Sequence, residues 1–327
     1  MEDFKINNYS FSKPLKSLNS GFSKWGIGKR DDRRFFVKEF LSPVYPVENA
    51  LFSEETKQVQ IQVCQDFVEE KLELYSAVRE ADEGHVVYVE QFFRVGAKFY
   101  MVTKAIEEPA LSVPEIARCS FLDGLRLCCA IAHAMAKIHE KKIVHADIKP
   151  SNILVVRKNG LWPYIIDFDC SFLEHKCPKL GEELNGDLVY LSPEGFLHIA
   201  EEESNLSCKM DVFALGLLFY EYLTGKLPGF DAEEYQYAYE AVLDDHPLDV
   251  QGIVNASCRQ VIAQMLEKRP EDRPDMRTVF HSLNNILLQT LKRTPPEHVF
   301  VEQTMPKETE LARSTFEDSF FHMGGDL

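Results

Sequence analysis

The sequence lacks long apolar runs and an excess of positive charge, and each absence excludes a class of protein. No apolar stretch approaches the ~18 residues that are needed to cross a bilayer, and the first residues do not have the form of a signal peptide. The 36 Lys and Arg residues face 52 Asp and Glu residues, which gives a formal net charge of −16. We therefore expect no general affinity for nucleic acid or for membranes, whose surfaces are anionic.

The eight cysteines are scattered and include no C-x-x-C pair, so the sequence shows neither a disulfide framework nor a zinc site. This pattern favours a reducing, cytoplasmic setting. Hydrophobic residues make up 45% of the 327 residues, which is enough for a sizeable folded core. The length allows two domains, or one two-lobed domain with a tail.

The middle of the chain carries polar residues whose spacing suits the handling of phosphate. Residues 145–152 read H-A-D-I-K-P-S-N, and Asp167 lies twenty residues after Asp147. Two apolar β-branched runs between them, broken by K-N-G, predict a short hairpin. A hairpin would bring Asp147, Asn152 and Asp167 together. Phosphoryl transfer needs this grouping, because one carboxylate orients the hydroxyl while an amide oxygen and a second carboxylate hold Mg²⁺ against the ATP phosphates.

These residues resemble the catalytic motifs of the eukaryotic-type protein kinases, H-R-D-x-x-x-x-N and D-F-G. Ala146 stands in place of the Arg, as in non-RD kinases, and Asp169 stands in place of the Gly. The resemblance extends over roughly residues 15–290 and includes a segment that ends in Glu194, with Arg273 as its expected structural partner. The short activation segment suggests a bacterial kinase of eukaryotic type.

The resemblance implies an α+β, bilobal protein kinase-like fold. A small antiparallel sheet and a helix would form the N-lobe, residues 1–104, and a mainly helical C-lobe would follow over residues 105–290. Residues 291–327 would form an acidic C-terminal tail. Asp211, which opens an apolar helix, would tie down the backbone of the catalytic loop.

The resemblance also assigns a role to each residue of the catalytic loop. Asp147 would orient the substrate hydroxyl, and Lys149 would neutralise charge on the transferring phosphoryl group. A lysine at this position suggests serine/threonine specificity. Asn152 and Asp167 would hold Mg²⁺ beside ATP. His145 would support the loop by packing and hydrogen bonding.

On the nucleotide side, Lys38 matches the ATP-binding lysine and would supply a charge to the α/β-phosphates. The glycine-rich lid is degenerate, since Gly21 is the only glycine of G-x-G-x-x-G that keeps its place. Thr103 falls at the gatekeeper position. It precedes a hinge over residues 104–106, whose backbone, including that of Ala105, would bind the adenine edge.

Residues 54–78 have the periodicity of a long helix. Its apolar stripe, which includes Phe67, places Glu70 on the inward side and leaves Glu69 and Glu73 further from it. An inward carboxylate on an apolar stripe needs a partner. We therefore expect Glu70 to pair with Lys38 and to complete the nucleotide site.

Only three hydroxyl residues lie between Phe168 and Pro193, namely Ser171, Tyr190 and Ser192. In the family, an arginine at the position of Ala146 binds a phosphate group on this segment. The sequence therefore predicts activity that does not depend on phosphorylation of the activation segment.

Three functions are compatible with these motifs. The first is an active serine/threonine protein kinase. The second is a pseudokinase that binds nucleotide and acts as a scaffold or regulatory module. The degenerate lid, Asp169 and Asp187 suggest this function, because Asp187 stands where the family has Thr. The third is a small-molecule phosphotransferase of related fold. The segment ending in Glu194 and its partner Arg273 favour the protein kinase.

Acidic residues flank the presumed peptide site and favour basic protein substrates. They are Glu182, Glu183, Asp187, Glu201, Glu202 and Glu203.

Overall fold

The structure, a computed structural model, describes residues 4–17, 23–47, 53–180, 184, 186–202 and 204–293. The chain divides into two compact units. Among the described residues, the first unit comprises those up to 79 together with 87–107, and the second comprises 80–86 and those from 108 onward. No helix in the described part of the chain is long and apolar enough to cross a membrane.

The first unit is built on an antiparallel sheet of six strands in the order β1-β2-β3-β4-β6-β5. The strands are β1 Phe4–Ile6, β2 Tyr9–Phe11, β3 Ser23–Arg30, β4 Arg33–Phe40, β5 Val89–Val95 and β6 Lys98–Lys104. Burial alternates along β2 and β4, so every second side chain points to the same face of the sheet. On that face Tyr9, Phe11, Phe35 and Val37 form one apolar cluster. This alternation explains why the segment forms strands.

Helix α1, Glu54–Ala81, accompanies this sheet. Six buried residues define its inner face, namely Cys64, Val68, Leu74, Tyr75, Val78 and Ala81. At 100° per residue, Glu70 lies about 95° from the middle of that face, whereas Lys71 lies within about 10° of it. Glu70 is accordingly exposed and Lys71 half-buried. The prediction that Glu70 faces inward is wrong, because the apolar stripe used to orient the helix includes Val59, which is 64% exposed.

The second unit is mainly helical. Its helices are α2 Val113–Ala117, α3 Phe121–Glu140, α4 Pro193–Ile199, α5 Lys209–Thr224, α6 Ala238–Leu243, α7 Ala256–Met265 and α8 Met276–Arg293. Its short strands are β7 Ile143–Val144, β8 Ile153–Lys158, β9 Gly160–Ile165 and β10 Phe172–Leu173. Strands β8 and β9 form the predicted antiparallel hairpin. Helix α5 is apolar on nearly every side and buried, so it forms the centre of this unit.

A buried ion pair fastens the start of α4. Arg273 donates to both carboxylate oxygens of Glu194 at 2.7 and 2.9 Å. Its other N–H groups donate to the backbone oxygens of Lys209, Glu267 and Lys268. All five guanidinium donors are therefore used, which compensates for burying the charge. The predicted Glu194–Arg273 pair is confirmed.

Candidate active site

Asp211 fixes the backbone that leads into Asp147. This buried carboxylate, in the first turn of α5, accepts hydrogen bonds from the backbone N–H groups of His145 (2.8 Å) and Ala146 (2.9 Å). His139 Nε2 lies 3.0 Å from the same carboxylate. Ala146 has a φ of +62°, a left-handed conformation that costs a residue with a Cβ about 1 kcal/mol. The prediction that Asp211 ties down this loop is confirmed.

His145 joins the loop to the segment that carries Asp167. Its buried ring lies 4.9 Å from the ring of Phe168, and its Nε2 lies 3.0 Å from the carbonyl oxygen of Ile166. Ser171 adds a second link, because its hydroxyl donates to the carbonyl oxygen of His145 at 3.0 Å. His145 thus supports the loop as predicted.

The hairpin brings the predicted polar residues together. Asn152 Nδ2 donates to the backbone oxygen of Asp147 at 2.8 Å and to its Oδ2 at 2.7 Å. The backbone N–H of Ile166 donates to the carbonyl oxygen of Asn152 at 2.9 Å, which sets Asp167 beside this pair. Asp167 has a φ of +62°, so the backbone is strained on this side of the site as well.

Lys149 and Asp187 complete the polar cluster around Asp147. Lys149 Nζ lies 2.9 Å from Asp147 Oδ2 and 3.9 Å from Asp187 Oδ2. The backbone N–H of Asp187 donates to Asp147 Oδ1 at 3.1 Å. A Cβ at Gly186 would lie 2.9 Å from the carbonyl oxygen of Ala146, so only glycine allows the activation segment to approach the loop this closely. Both carboxylate oxygens of Asp147 therefore face donors.

The three hydroxyl residues of the activation segment all have hydrogen-bond partners. Ser171, only 8% exposed, donates to the loop, as described above. Tyr190 donates to Glu221 at 2.5 Å, and burial is the first cause of the raised pKa of both groups. Ser192 caps α4 by accepting from the backbone N–H of Gly195 at 3.2 Å. Each hydroxyl is thus part of the folded structure.

In the first unit, the predicted nucleotide-binding residues lie on the central strands. Lys38, on β4, is 5% exposed and lies opposite Met101 of β6, while buried Thr103 lies opposite Phe36. The backbone N–H of Ala105 donates to the carbonyl oxygen of Arg34 at 3.3 Å. The N–H of Ala105, one group of the hinge backbone predicted to bind adenine, is therefore already hydrogen-bonded within the first unit.

Of the other predicted residues of the nucleotide side, one stands apart from these strands and one is not described. Glu70 lies on the exposed face of α1, as described above. The inner face carries Lys71 instead, whose Nζ lies 5.9 Å from the centre of the Tyr75 ring. Gly21 lies outside the described residues.

The comparison with known families decides the identity of the fold. A family described as "Protein kinase domain" matches residues 54–283. The chain belongs to the protein kinase family. The match begins at Glu54, so strand β4, which carries Lys38, lies outside it.

Several curated protein kinases are similar in sequence. "Serine/threonine-protein kinase Aurora-2" of Arabidopsis thaliana is 26% identical over 271 residues, which cover 82% of this chain and 86% of that protein. An "Aurora kinase" of Eremothecium gossypii is 36% identical over 149 residues, 46% of this chain and 38% of that protein. "Serine/threonine-protein kinase Pkn1" of Myxococcus xanthus is 31% identical over 154 residues, and that alignment spans only 21% of its length.

A solved kinase structure shares the fold. The structure of the Cydia pomonella granulovirus kinase PK-1 superposes with a TM-score of 0.58, covering 84% of this chain and 93% of that chain at 18% identity. The expected bilobal, α+β protein kinase-like fold is confirmed.

Protein kinases use ATP and Mg²⁺, and the side chains of the loop fit that requirement. Asn152 directs its Nδ2 at two oxygens of Asp147, which turns its Oδ1 the other way, since the two amide atoms sit on opposite arms. An amide oxygen and the Asp167 carboxylate are the hard oxygen ligands that Mg²⁺ prefers. These two groups would hold the ion.

The sequence did not reveal the backbone role of Asp187. Its side chain was expected to matter because it replaces Thr, yet its N–H group is what contacts Asp147. Every residue but proline carries such a donor, so no residue type could have signalled it. Only Gly186, whose missing Cβ allows the close approach, hints at this hydrogen bond.

Proposed function

We propose that the protein is an active kinase that transfers the γ-phosphate of ATP to serine or threonine hydroxyls of proteins. The observation that carries this proposal is the ordered arrangement around Asp147, whose carboxylate faces Asn152 and Lys149 at 2.7 and 2.9 Å. Such an arrangement is costly to build around a carboxylate without function, because it includes strained backbone at Ala146 and Asp167.

Asp147 would orient the acceptor hydroxyl and take up its proton. Asn152 holds Asp147 in position through one hydrogen bond to its backbone oxygen and one to its carboxylate, so little reorganisation is needed when the hydroxyl arrives. Lys149 lies close enough to balance negative charge that develops beside Asp147. Because this lysine is typical of the serine/threonine branch, we propose that specificity.

Mg²⁺-ATP, when bound, would supply the phosphoryl group and the charge that neutralises its oxygens. Asn152 Oδ1 and the Asp167 carboxylate are the proposed ligands of the ion. Lys38 is the proposed partner of the α/β-phosphates, because it is buried on β4 and matches the ATP-binding lysine of the family. Thr103 and the hinge backbone around Ala105 would line the adenine site, with Gly21 in the lid.

We also propose that activity does not require phosphorylation of the activation segment. Ser171, Tyr190 and Ser192 are all engaged in hydrogen bonds and largely buried. Phosphatase treatment should therefore leave the rate of transfer unchanged. A large loss of rate after dephosphorylation would overturn this part of the proposal.

A pseudokinase is the second candidate, and the position of Asp187 supports it. Its N–H group occupies Asp147 Oδ1, and its carboxylate lies 3.9 Å from Lys149 Nζ. A carboxylate there competes with the transferring phosphoryl group for Lys149. In this case the protein would bind Mg²⁺-ATP without transferring phosphate.

The test is transfer of labelled γ-phosphate from Mg²⁺-ATP to a mixed basic protein, followed by analysis of the phosphorylated amino acids. The parent protein should label serine and threonine, and both Asp147→Asn and Lys38→Met should abolish labelling. Asp32→Asn, which removes an exposed carboxylate, is the matched control and should label normally. Nucleotide binding without labelling by the parent protein would favour the pseudokinase.

A further inference from the structure

Two glycines of the first unit lie just beyond the place where the glycine-rich lid would need them. Gly26 and Gly28 follow Gly21 but do not fit the spacing of G-x-G-x-x-G. Both are buried in β3, at alternate positions that share one face of the sheet. A glycine inside a strand weakens it and often marks a place where another group approaches closely. The role of these two glycines therefore depends on what lies against that face.

The ring of Phe11, on β2, lies against both glycines. A Cβ added at Gly28 would lie 2.9 Å from Phe11 Cζ, and one added at Gly26 would lie 3.6 Å from Cδ1 and Cε1 of the same ring. Leu15 covers the rest of Gly26, because its Cδ2 would lie 2.8 Å from the added Cβ. Carbon atoms pack best at about 3.5–4.0 Å, so a side chain at Gly28 would displace the ring. The two glycines thus allow Phe11 to pack directly on the backbone of β3.

Strand β2 is anchored on strands other than β3. Tyr9 is fully buried, and its ring packs edge-on against Phe35 of β4 at 5.3 Å. Its hydroxyl donates to Gln91 Oε1 of β5 at 2.8 Å. Within the described residues, β2 and β3 are paired at one position of the backbone ladder. Because this ladder is so short, the packing of the Phe11 ring fixes where β3 lies relative to β2.

The opposite face of β3 borders the predicted nucleotide-binding residues. Trp25, the neighbour of Gly26 in the chain, lies directly opposite Lys38 of β4, so their side chains share a face. The Trp25 ring stacks on that of Phe36 at 5.5 Å, and Phe36 lies opposite Thr103. A displacement of β3 that begins on its glycine face therefore moves the Trp25 ring beside Lys38.

We propose that Phe11 is a positioning residue for the nucleotide, because its ring sets the place of β3 and thereby of Trp25 beside Lys38. Phe11 belongs to the apolar cluster that contains Val37, on the face of β4 that Lys38 does not share, so it acts through β3. The proposal rests on the proposed kinase activity and deepens it, since it assigns part of the nucleotide affinity to β2. This strand precedes the family match, which begins at Glu54.

The test exchanges size across the contact between Phe11 and Gly28. Phe11→Leu removes the ring atoms Cε1 and Cζ, which face Gly28, and keeps the core apolar. Gly28→Ala alone places a Cβ against the intact ring. In Phe11→Leu/Gly28→Ala, the new Cβ fills space that the ring atoms leave. Phe93→Leu makes the same substitution in the same apolar cluster, but on β5, and is the matched control.

The first measurement is the Kd for a non-hydrolysable ATP analogue with Mg²⁺, by titration calorimetry, beside the midpoint of denaturant-induced unfolding and kcat at saturating ATP. Phe11→Leu and Gly28→Ala should each raise the Kd about tenfold and leave kcat within about twofold. The double variant should return to within about twofold of the parent, because the two changes compensate each other. Phe93→Leu should lower the unfolding midpoint but leave the Kd within about twofold.

Trp25 reports the position of β3 directly. The chain has two tryptophans, Trp25 and Trp162, so Trp162→Phe leaves the fluorescence of Trp25 alone. In that background, Phe11→Leu should shift the emission maximum, the added Gly28→Ala should restore it, and Phe93→Leu should leave it unchanged. An emission spectrum that Phe11→Leu does not alter would overturn the proposal.

The binding data separate this proposal from the kinase activity. An equal Kd for the parent and Phe11→Leu would overturn the positioning role, and so would an equal rise in Phe93→Leu, which would reflect a general loss of stability. A double variant that binds no better than Phe11→Leu would also contradict it. The predicted pattern of Kd values without phosphate transfer by the parent would support the positioning role and overturn the kinase activity alone.

Discussion

The catalytic loop and the nucleotide-binding strands match the residue pattern of the protein kinase family to different degrees. Around Asp147, Asn152 lies close by as the predicted hairpin implied, and Asp211 holds the backbone as the resemblance implied. In the first unit, Glu70 lies on the exposed face of α1, and the Ala105 N–H is used by the sheet.

The difference follows from how each region is held. The loop is set by short hydrogen bonds between residues whose spacing the motif fixes, so the residue types nearly dictate the geometry. The phase of α1 is set by packing, and a shift of one residue rotates every side chain by about 100°. Polar networks are therefore predictable from sequence where helix phase is not.

The largest expected effect concerns the buried ion pair of the second unit. Arg273→Leu should lower the free energy of unfolding by about 3–5 kcal/mol, because it leaves the Glu194 carboxylate buried and unpaired. Denaturant-induced unfolding would measure it. Arg277→Leu, which breaks an exposed pair with Glu140, is the matched control and should cost less than about 1 kcal/mol. Similar losses for both variants would contradict the importance of the buried network.

The second prediction separates the two regions directly. Asp211→Asn should reduce kcat at least about tenfold, because the amide cannot accept from both loop N–H groups. The Kd for Mg²⁺-ATP should change less than about twofold if the loop network serves transfer and not nucleotide affinity. Phosphoryl-transfer assays give kcat, and equilibrium binding gives the Kd for Mg²⁺-ATP. A kcat equal to that of the parent would show that the loop holds its shape without Asp211.

A smaller effect is expected where the activation segment contacts the loop. Asp187→Thr should raise kcat about two- to fivefold, since it removes a carboxylate 3.9 Å from Lys149, worth about 1 kcal/mol in water. The gain should shrink at high salt, which screens that charge. Asp187→Asn keeps a side-chain oxygen that can accept from the Val189 N–H, which donates to Asp187 Oδ1 at 3.0 Å. This variant therefore tests the effect of the charge alone. If kcat fell in both Asp187→Thr and Asp187→Asn, the Asp187 carboxylate would promote phosphoryl transfer, contrary to the prediction.

The smallest effect is predicted for Glu70. Because this side chain is exposed, Glu70→Gln should leave the KM for ATP within about twofold, like the control Glu54→Gln at another exposed position of α1. Steady-state kinetics at varied ATP would measure it. A tenfold rise for Glu70→Gln alone would restore Glu70 as the partner of Lys38.

Most of the loop could be predicted from the sequence, and the reasons are local. The hairpin over residues 153–165 follows from two β-branched runs around a turn, whereas the role of Asp211 is implied by the resemblance to the protein kinases. The inner face of α1 could not be predicted, because Val59 and Val63 are apolar but exposed. Periodicity reports which residues share a face, and packing decides which face is buried.

The strands show the same limit. Alternating residues before Trp25 do not by themselves say which segment pairs with β3. Among the described residues, β2, Tyr9–Phe11, pairs with β3, and Lys16 forms a bridge to Trp25. The aromatic side chains of β2 are buried in the sheet core, so non-local packing chose the strand.

The most direct test of the central claim measures Mg²⁺-ATP affinity and phosphoryl transfer on one preparation of the parent protein and of Asp147→Asn. If the loop around Asp147 is a working catalytic site, both proteins should bind Mg²⁺-ATP with similar Kd. Only the parent should then transfer phosphate to protein, with a rate at least about 100-fold above that of the variant. Equal binding with no transfer by either protein would contradict the claim.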